Sequence, residues 1–134
     1  MIRLTLDQVK RMHHLLIEET GGLHGVRDEG LLESAVLSPF HTFDGELLYK
    51  TIELRAARLC YSLIRNHPFN DGNKRVGILA MLAYLQLNFI ELRYTNDDLV
   101  SIGLQIATGE MDAIQLARWI IASQHDPPTP NDVI

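Results

Sequence analysis

The sequence predicts an all-α domain, a compact bundle of about six helices around one central buried helix. Apolar residues recur at helical spacing in several segments, and capping residues precede most of these segments. Hardly any segment shows the alternation of a strand. Residues 73–87 are apolar around nearly the whole helical circumference, which is typical of a helix at the centre of a domain.

Length and composition favour a single domain. The chain has 134 residues, of which 46% are hydrophobic and 22% charged. We expect a domain over residues 1–125 and a disordered, proline-rich tail over residues 126–134. The lone Cys60 argues against a disulfide-stapled secreted protein. The longest apolar stretch, residues 76–90, contains polar interruptions and is shorter than the roughly 20 residues that span a bilayer. We therefore expect a cytoplasmic protein without a membrane span.

The net charge limits the choice of partners. The chain has 12 Lys and Arg residues against 17 Asp and Glu residues, a net charge of −5. This balance argues against the phosphate backbone of nucleic acid as the main ligand, so we expect no direct nucleic-acid binding. An acidic surface is better suited to a protein partner.

Capping residues delimit the first two helices. Thr5 and Gln8 have the form of a capping box, and the helix that they begin should stop at the glycine pair 21–22. Asp28 is the expected N-cap of a short second helix, which Pro39 ends.

The next segment combines aromatic residues with turn chemistry. Residues 39–46 include the turn pair Asp44 and Gly45, so we expect a loop or a small hairpin, called the flap below. A strongly helical pattern follows over residues 46–66. This helix should end near His67, because proline disfavours helical geometry in the residue before it.

Three further helices complete the expected bundle. The central helix covers residues 73–87, and a helix capped by Thr95 continues to about Ala107. Asp112 caps the last helix, whose apolar positions are Ile114, Leu116, Ala117, Trp119 and Ile120.

The turn between the two most buried helices, residues 67–75, carries an unusual charge pattern. Lys74 and Arg75 stand in the first turn of a helix, where the helix dipole disfavours cations. An anionic ligand would compensate for this. Gly72 allows a close approach to the backbone, and the N–H groups from Asn73 onwards point out of the helix end, so the ligand expected here is a phosphate.

Two more residues of this turn add chemistry. The Asp71 carboxylate suits a divalent ion that bridges phosphates, since hard cations prefer oxygen ligands. His67 is the candidate general base, because histidine is the side chain that most often takes this role near neutral pH. A base, a metal-binding carboxylate and an anion nest together indicate phosphoryl or nucleotidyl transfer.

Each of these residues also has a purely structural interpretation. His67 alone is an ordinary helix-end histidine, and Asp71 alone is an ordinary N-cap. Lys74 and Arg75 can be partners in ion pairs, and Phe69 is best explained by packing. The combination, rather than any single residue, favours catalysis.

Residues 67–75 resemble the signature of the Fic/Doc family, H-x-F-x-[D/E]-[G/A]-N-[G/K]-R, in its Doc (death-on-curing) form. Seven of the nine positions are constrained, so the resemblance is specific. It extends to residues 27–35, 63–67 and 107–110, and thus covers the chain to about Ala122. The resemblance implies a Fic/Doc fold.

The resemblance also implies roles for individual residues. His67 matches the base that takes a proton from a hydroxyl of a target protein, and Asp71 matches the ligand that holds Mg²⁺ on the phosphates of ATP. The remaining matches are the phosphate-binding positions Gly72, Asn73, Lys74 and Arg75.

Two departures from the adenylylating Fic pattern bear on the reaction. Lys74 replaces its second glycine, and Ile78 stands where its last arginine would be. Doc proteins share the lysine, and the resemblance therefore implies transfer of the γ-phosphoryl group of ATP, with translation elongation factor Tu as the target. The alternatives are AMP transfer to a protein and a non-catalytic module that binds a nucleotide or a partner.

The Doc resemblance further implies the toxin half of a type II toxin-antitoxin pair. A free phosphotransferase that acts on translation would harm its own cell. The expected partner is an antitoxin that inserts a segment into the active-site groove.

A second candidate site lies on the first helix. His13, His14 and Glu18 suggest metal ligands, but the H-E-x-x-H spacing is absent. Only His14 and Glu18 share a face of the helix. The sequence therefore favours the interpretation that these residues form no metal site.

Overall fold

The computed structural model describes residues 1–124, and over these residues it confirms the all-α prediction. The predicted tail, residues 126–134, and the domain boundary at 125 lie outside the described residues. Within the described part there are six α-helices, a short 3-10 turn at Ser38–Phe40 and one two-stranded hairpin. The helices are α1 (Leu6–Thr20), α2 (Glu29–Leu37), α3 (Ile52–Asn66), α4 (Asn73–Leu87), α5 (Asn96–Thr108) and α6 (Ala113–Ala122).

Most helices begin at the caps that the sequence predicts. Thr5 forms a full capping box with Gln8, and Asp28 accepts a hydrogen bond from the N–H of Leu31. Thr95 and Asp112 each form a capping box as well. These local hydrogen bonds satisfy N–H groups that a helix leaves unpaired at its start.

The predicted start of the third helix is wrong. The sequence pattern places a helix over residues 46–66, but α3 begins at Ile52, after the N-cap Thr51. The preceding residues form the flap hairpin, in which β1 (Thr42–Phe43) pairs antiparallel with β2 (Glu46–Leu47). The turn residues Asp44 and Gly45 both have positive φ, which matches the twist of a tight hairpin and stops helical geometry there.

The centre of the bundle is formed by α3 and α4 together. α4 packs against α1, α3 and α5, while α3 also contacts α2, α5, α6 and the 3-10 turn. The two central helices approach closely at Gly77, where an added Cβ would lie 2.8 Å from a side-chain carbon of Ile64. Because α3 and α4 are held so firmly, the turn between them, residues 67–72, is presented from a rigid base. No helix within the described residues is both long and apolar enough to cross a membrane.

Candidate active site

The turn between α3 and α4, residues 67–72, is called the active-site loop below. Its two ends lie in the left-handed region: His67 has φ 51° and ψ 53°, and Gly72 has φ 75° and ψ 20°. Pro68 follows His67 and prevents α3 from continuing, as the sequence predicts. The loop therefore reverses the chain within six residues and leaves the His67 side chain exposed at its rim.

The buried side chain of Asn73 fixes the shape of this loop. Its Oδ1 accepts a hydrogen bond from the Phe69 N–H at 3.0 Å, and its Nδ2 donates to the Phe69 carbonyl at 3.1 Å. One amide side chain thus satisfies both backbone groups of a buried residue. The expectation that Asn73 touches phosphate concerns only its backbone N–H, because its side chain is used inside the loop.

Phe69 anchors the loop in the core, as its expected packing role requires. It is 1% exposed and stacks on His13 of α1, with ring centroids 3.8 Å apart and planes 8° from parallel. His13 Nε2 also lies 2.7 Å from the Asp71 carbonyl oxygen. That oxygen can only accept, so Nε2 carries the proton. Burial lowers the pKa of His13, which favours the neutral ring.

A second support comes from the segment after α1. Val26 and Phe69 form an isolated antiparallel bridge. Next to it, the N–H of Arg27 donates to the Pro68 carbonyl at 2.7 Å, and the N–H of Asn70 donates to the Gly25 carbonyl at 3.0 Å. The active-site loop is therefore held by strand-like backbone bonds on one side and by its own helix on the other.

Arg27 also holds the end of α3 with its side chain. The guanidinium donates from Nε to the His67 carbonyl at 2.7 Å and from a terminal nitrogen to the Asn66 carbonyl at 3.0 Å. A cation is favourable at the C-terminus of a helix, where carbonyls are otherwise unpaired. Arg27 thus fixes the backbone from which the His67 ring projects.

The Asp71 carboxylate is prepared as an anionic ligand. The N–H of Leu23 donates to Oδ2 at 3.1 Å, and the N–H of Gly72 donates to Oδ1 at 2.9 Å. These two bonds, with Leu23 the larger influence, lower the pKa of Asp71, so the group is ionised at neutral pH. Each oxygen still has a free lone pair, and the side chain is 43% exposed. A lone accessible carboxylate fits Mg²⁺, which is commonly bound by one or two carboxylates together with substrate phosphates and water.

The start of α4 is open to an anion. Gly72 is its N-cap and offers no side-chain cap, so the first N–H groups of the helix point outward. Lys74 is exposed in the same turn. All six predicted site residues share one pocket of about 180 Å³, which is lined by Ile64, His67, Asn70, Asp71, Gly72, Asn73, Lys74, Arg75 and Ala107.

The Arg75 guanidinium is already engaged in intramolecular contacts. It donates to the Thr20 hydroxyl and, at 3.2 Å, to the Gly21 carbonyl, and it lies 3.8 Å from Asp71 Oδ1. The structural interpretation of Arg75, an ion-pair partner, is therefore realised in part. Arg75 also lines the pocket, and its contact with phosphate stays a prediction.

An apolar groove continues from this pocket between α1, α4 and α5. Its volume is about 420 Å³, and Lys74 and Arg75 stand at its end. Ile78, which replaces the last arginine of the adenylylating pattern, lines this groove. The other apolar side chains of the wall are Leu16, Leu79, Leu82, Leu99, Val100 and Leu104.

The sequence reasoning missed four residues that shape the site. These residues are His13, Leu23, Arg27 and Asn70, and they hold the active-site loop or Asp71 through the contacts described above. His13 left a signal, because a histidine on the apolar face of an amphipathic helix is buried and needs a partner. Arg27 left one as well, since it lies in the segment 27–35 that resembles the family. The contribution of Leu23 is made by its backbone, which the residue type does not reveal.

Comparisons with known proteins identify the family of this chain. The model of the Fic/DOC family matches residues 3–85. The chain is 37% identical over 113 residues to "Toxin Doc" of Mycolicibacterium smegmatis, which covers 78% of this chain and 85% of that protein. It is 26% identical over 117 residues to "Protein kinase doc" of Escherichia phage P1, which covers 87% of this chain and 91% of that protein.

The matched region contains α1, α2, the flap, α3, the active-site loop and most of α4, and hence every residue of the predicted site. The family match and the relatives therefore agree with the resemblance that residues 67–75 carry. The chain belongs to the Fic/DOC family.

Proposed function

We propose that this chain is a Doc-type toxin that transfers the γ-phosphoryl group of Mg-ATP to a hydroxyl of a target protein. The observation that carries the proposal is the shared pocket at the start of α4. His67, Asp71 and Lys74 line this one pocket beside outward-pointing N–H groups. A base, an ionised carboxylate and an anion nest at one place are what phosphoryl transfer requires.

Each group has a defined task in this reaction. His67 accepts the hydroxyl proton as the hydroxyl oxygen attacks the γ-phosphorus, and ADP leaves with the electron pair of the bridging P–O bond. The N–H groups at the start of α4 and the Lys74 ammonium bind phosphate oxygens. Asp71 would hold Mg²⁺, which when bound would neutralise charge on the phosphates.

The groove next to the pocket favours γ-phosphoryl transfer over AMP transfer. AMP transfer in this family relies on a second arginine to hold the outer phosphates, and here that position is Ile78 in an apolar wall. The Lys74 side chain lies within about 4 Å of the point where a Cβ would stand if Gly103 carried one. Lys74 therefore occupies space between α4 and α5. If the outer phosphates of ATP pointed into this groove, they would lack the second arginine and would contact apolar side chains instead.

The same groove suggests the site of the antitoxin. Its apolar wall suits the apolar face of an inserted helix, and Lys74 and Arg75 at its end suit an acidic residue of that helix. An antitoxin that occupies this groove would cover the phosphate pocket. We include translation elongation factor Tu in the proposal as the protein substrate, on the basis of the Doc resemblance.

One experiment separates the three candidate activities. The protein is incubated with purified elongation factor Tu, or with a cell lysate, and with ATP labelled at either the α- or the γ-phosphate. Transfer from γ only supports the proposal, and transfer from α indicates AMP transfer. Transfer to lysate proteins but not to elongation factor Tu would move the target elsewhere and leave the reaction type unchanged.

The matched control is His67→Ala. His67 is exposed, so this substitution should leave the fold intact. Its activity should fall by about 10²–10⁴-fold if His67 is the general base. Full activity of His67→Ala, or no transfer by the wild type, would contradict the proposed mechanism and favour the non-catalytic alternative.

A further inference from the structure

Two histidines and a glutamate come together on the surface beside α1. His24 Nε2 lies 2.8 Å from Glu18 Oε1, and His14 Nε2 lies 4.0 Å from the same oxygen. The rings of His14 and His24 have centroids 4.6 Å apart. Within residues 1–124 this is the one group of three such side chains whose ligand atoms all lie within 4.8 Å of one another.

The group differs from the sequence prediction in its third member, which is His24 rather than His13. His13, the neighbour that the sequence offers, faces the core, whereas His24 reaches the pair from the loop after α1. His14 and Glu18 are one turn apart on the outer face of the helix. α1 alone supplies two metal-ligating side chains, and the fold adds His24 as a third.

The donor set selects a class of ion. Two imidazoles and one carboxylate suit zinc and its neighbours in the transition series, whereas Mg²⁺ and Ca²⁺ prefer oxygen alone. Zn²⁺ bonds to these groups at about 2.0–2.2 Å, which places tetrahedral ligand atoms roughly 3.3 Å apart. The observed separations of 2.8 Å and 4.0 Å lie on either side of that value, and rotation of exposed side chains can adjust them. A water molecule can take the open fourth position.

The loop that carries His24 also supports the active-site loop. The His24 carbonyl accepts from Nδ2 of Asn70 at 3.1 Å, and the N–H of Leu23 donates to Asp71 Oδ2 at 3.1 Å. A metal ion that joins His24 to α1 would therefore restrain the backbone that positions Asp71. Asp71 itself is outside the cluster, so this ion would be distinct from the Mg²⁺ of the proposed reaction.

We propose that His14, Glu18 and His24 bind one divalent transition-metal ion of the zinc type, which clips the loop 21–25 to α1. The site uses side chains that the proposed phosphoryl transfer does not need. Zinc binding and phosphoryl transfer can therefore be tested separately, and either proposal can fail while the other holds.

The first test is zinc binding by the full chain without a histidine tag, measured in competition with a chromophoric chelator. We expect one Zn²⁺ per chain, and an affinity that falls by roughly tenfold or more in His24→Ala and in Glu18→Gln. The controls His41→Ala and His67→Ala remove exposed histidines elsewhere and should keep the wild-type affinity. All three proposed ligands are exposed, so their loss should not unfold the chain.

The second test is hydrogen exchange with and without Zn²⁺. Zinc should slow exchange in a peptide over residues 21–25 of the wild type by several-fold, and should have no effect there in His24→Ala. Equal zinc affinity in the wild type and His24→Ala would overturn the site. Zinc binding without any change in exchange over residues 21–25 would overturn the proposal that the ion holds this loop against α1.

Discussion

The ring of His13 stacks on the ring of Phe69, and its Nε2–H reaches the Asp71 carbonyl 58 residues along the chain. One residue of α1 therefore supports both the buried anchor Phe69 and the Asp71 end of the active-site loop. His13 is not among the residues that line the pocket around His67, so it acts as a positioning residue.

Removing the hydrogen bond while keeping the stack should destabilise the fold. His13→Phe retains a flat ring against Phe69 but leaves the Asp71 carbonyl without its donor. This carbonyl is partly buried, so we expect a loss of about 1 kcal/mol in urea unfolding, the low end of the range for a buried acceptor without a partner. His14→Phe, on the exposed face of the same helix, is the matched control and should change stability little. Equal stability of His13→Phe and the wild type would show that this bond contributes nothing.

The lowered pKa of His13 predicts a pH dependence of stability. The unfolded chain takes up a proton near the ordinary histidine pKa of about 6.5, whereas the folded chain does so only at lower pH. The unfolded state thus binds more protons between the two values, so the His13 contribution is present above pH 6.5 and is lost as the pH falls through this window. Between pH 7.5 and pH 5.5, the free energy of unfolding measured in urea should decrease more for the wild type than for His13→Gln. Parallel decreases in the two proteins would contradict this assignment.

Asn73 should be more important for stability than its neighbour Asn70. Asn73→Ala leaves both the N–H and the carbonyl of buried Phe69 unpaired, at a cost of about 2–4 kcal/mol. Asn70→Ala removes one exposed side-chain hydrogen bond, worth about 0.5–1.5 kcal/mol. Chemical denaturation of the two variants measures the difference. A loss in Asn70→Ala as large as that in Asn73→Ala would be inconsistent with the buried pair.

Two adjacent glycines provide a matched pair for Asp71. An added Cβ at Gly22 would collide with Asp71 Oδ2, whereas one at Gly21 would meet nothing within 4 Å. Both positions have positive φ, so each alanine should cost about 1–3 kcal/mol of backbone strain. Only Gly22→Ala should also displace the carboxylate and weaken Mg-ATP binding in titration calorimetry. Equal affinities in Gly21→Ala and Gly22→Ala would argue against the metal role of Asp71.

Asp71→Asn tests the same role by charge rather than by position. The amide keeps one acceptor oxygen but loses the negative charge that attracts a divalent ion. We expect the affinity for Mg-ATP to fall by about tenfold, equivalent to ~1.4 kcal/mol, and the affinity for ATP without Mg²⁺ to change little. Titration calorimetry with and without Mg²⁺ measures both. An unchanged Mg-ATP affinity would remove Asp71 from the metal site.

The sequence was most informative where structure is local. The caps at Thr5, Asp28, Thr95 and Asp112 are each confirmed, because a cap depends only on residues within about one turn. The start of α3 was placed too early because Leu47 fits the apolar face of a helix and equally well the short strand of the flap. Periodicity alone does not separate these alternatives over a few residues.

The sequence by itself determined the bundle class and most of the helix ends. It also determined that the candidate site residues from His67 to Arg75 lie together in one pocket, since they are neighbours in the chain. The tertiary structure alone decided what supports that cluster. It brings His13 and the loop 21–25 to the active-site loop, turns the Asn73 side chain inward and adds His24 to His14 and Glu18. The physical reason is distance along the chain: a contact between residues tens of positions apart depends on how whole helices pack, and neither residue type nor spacing encodes that packing locally.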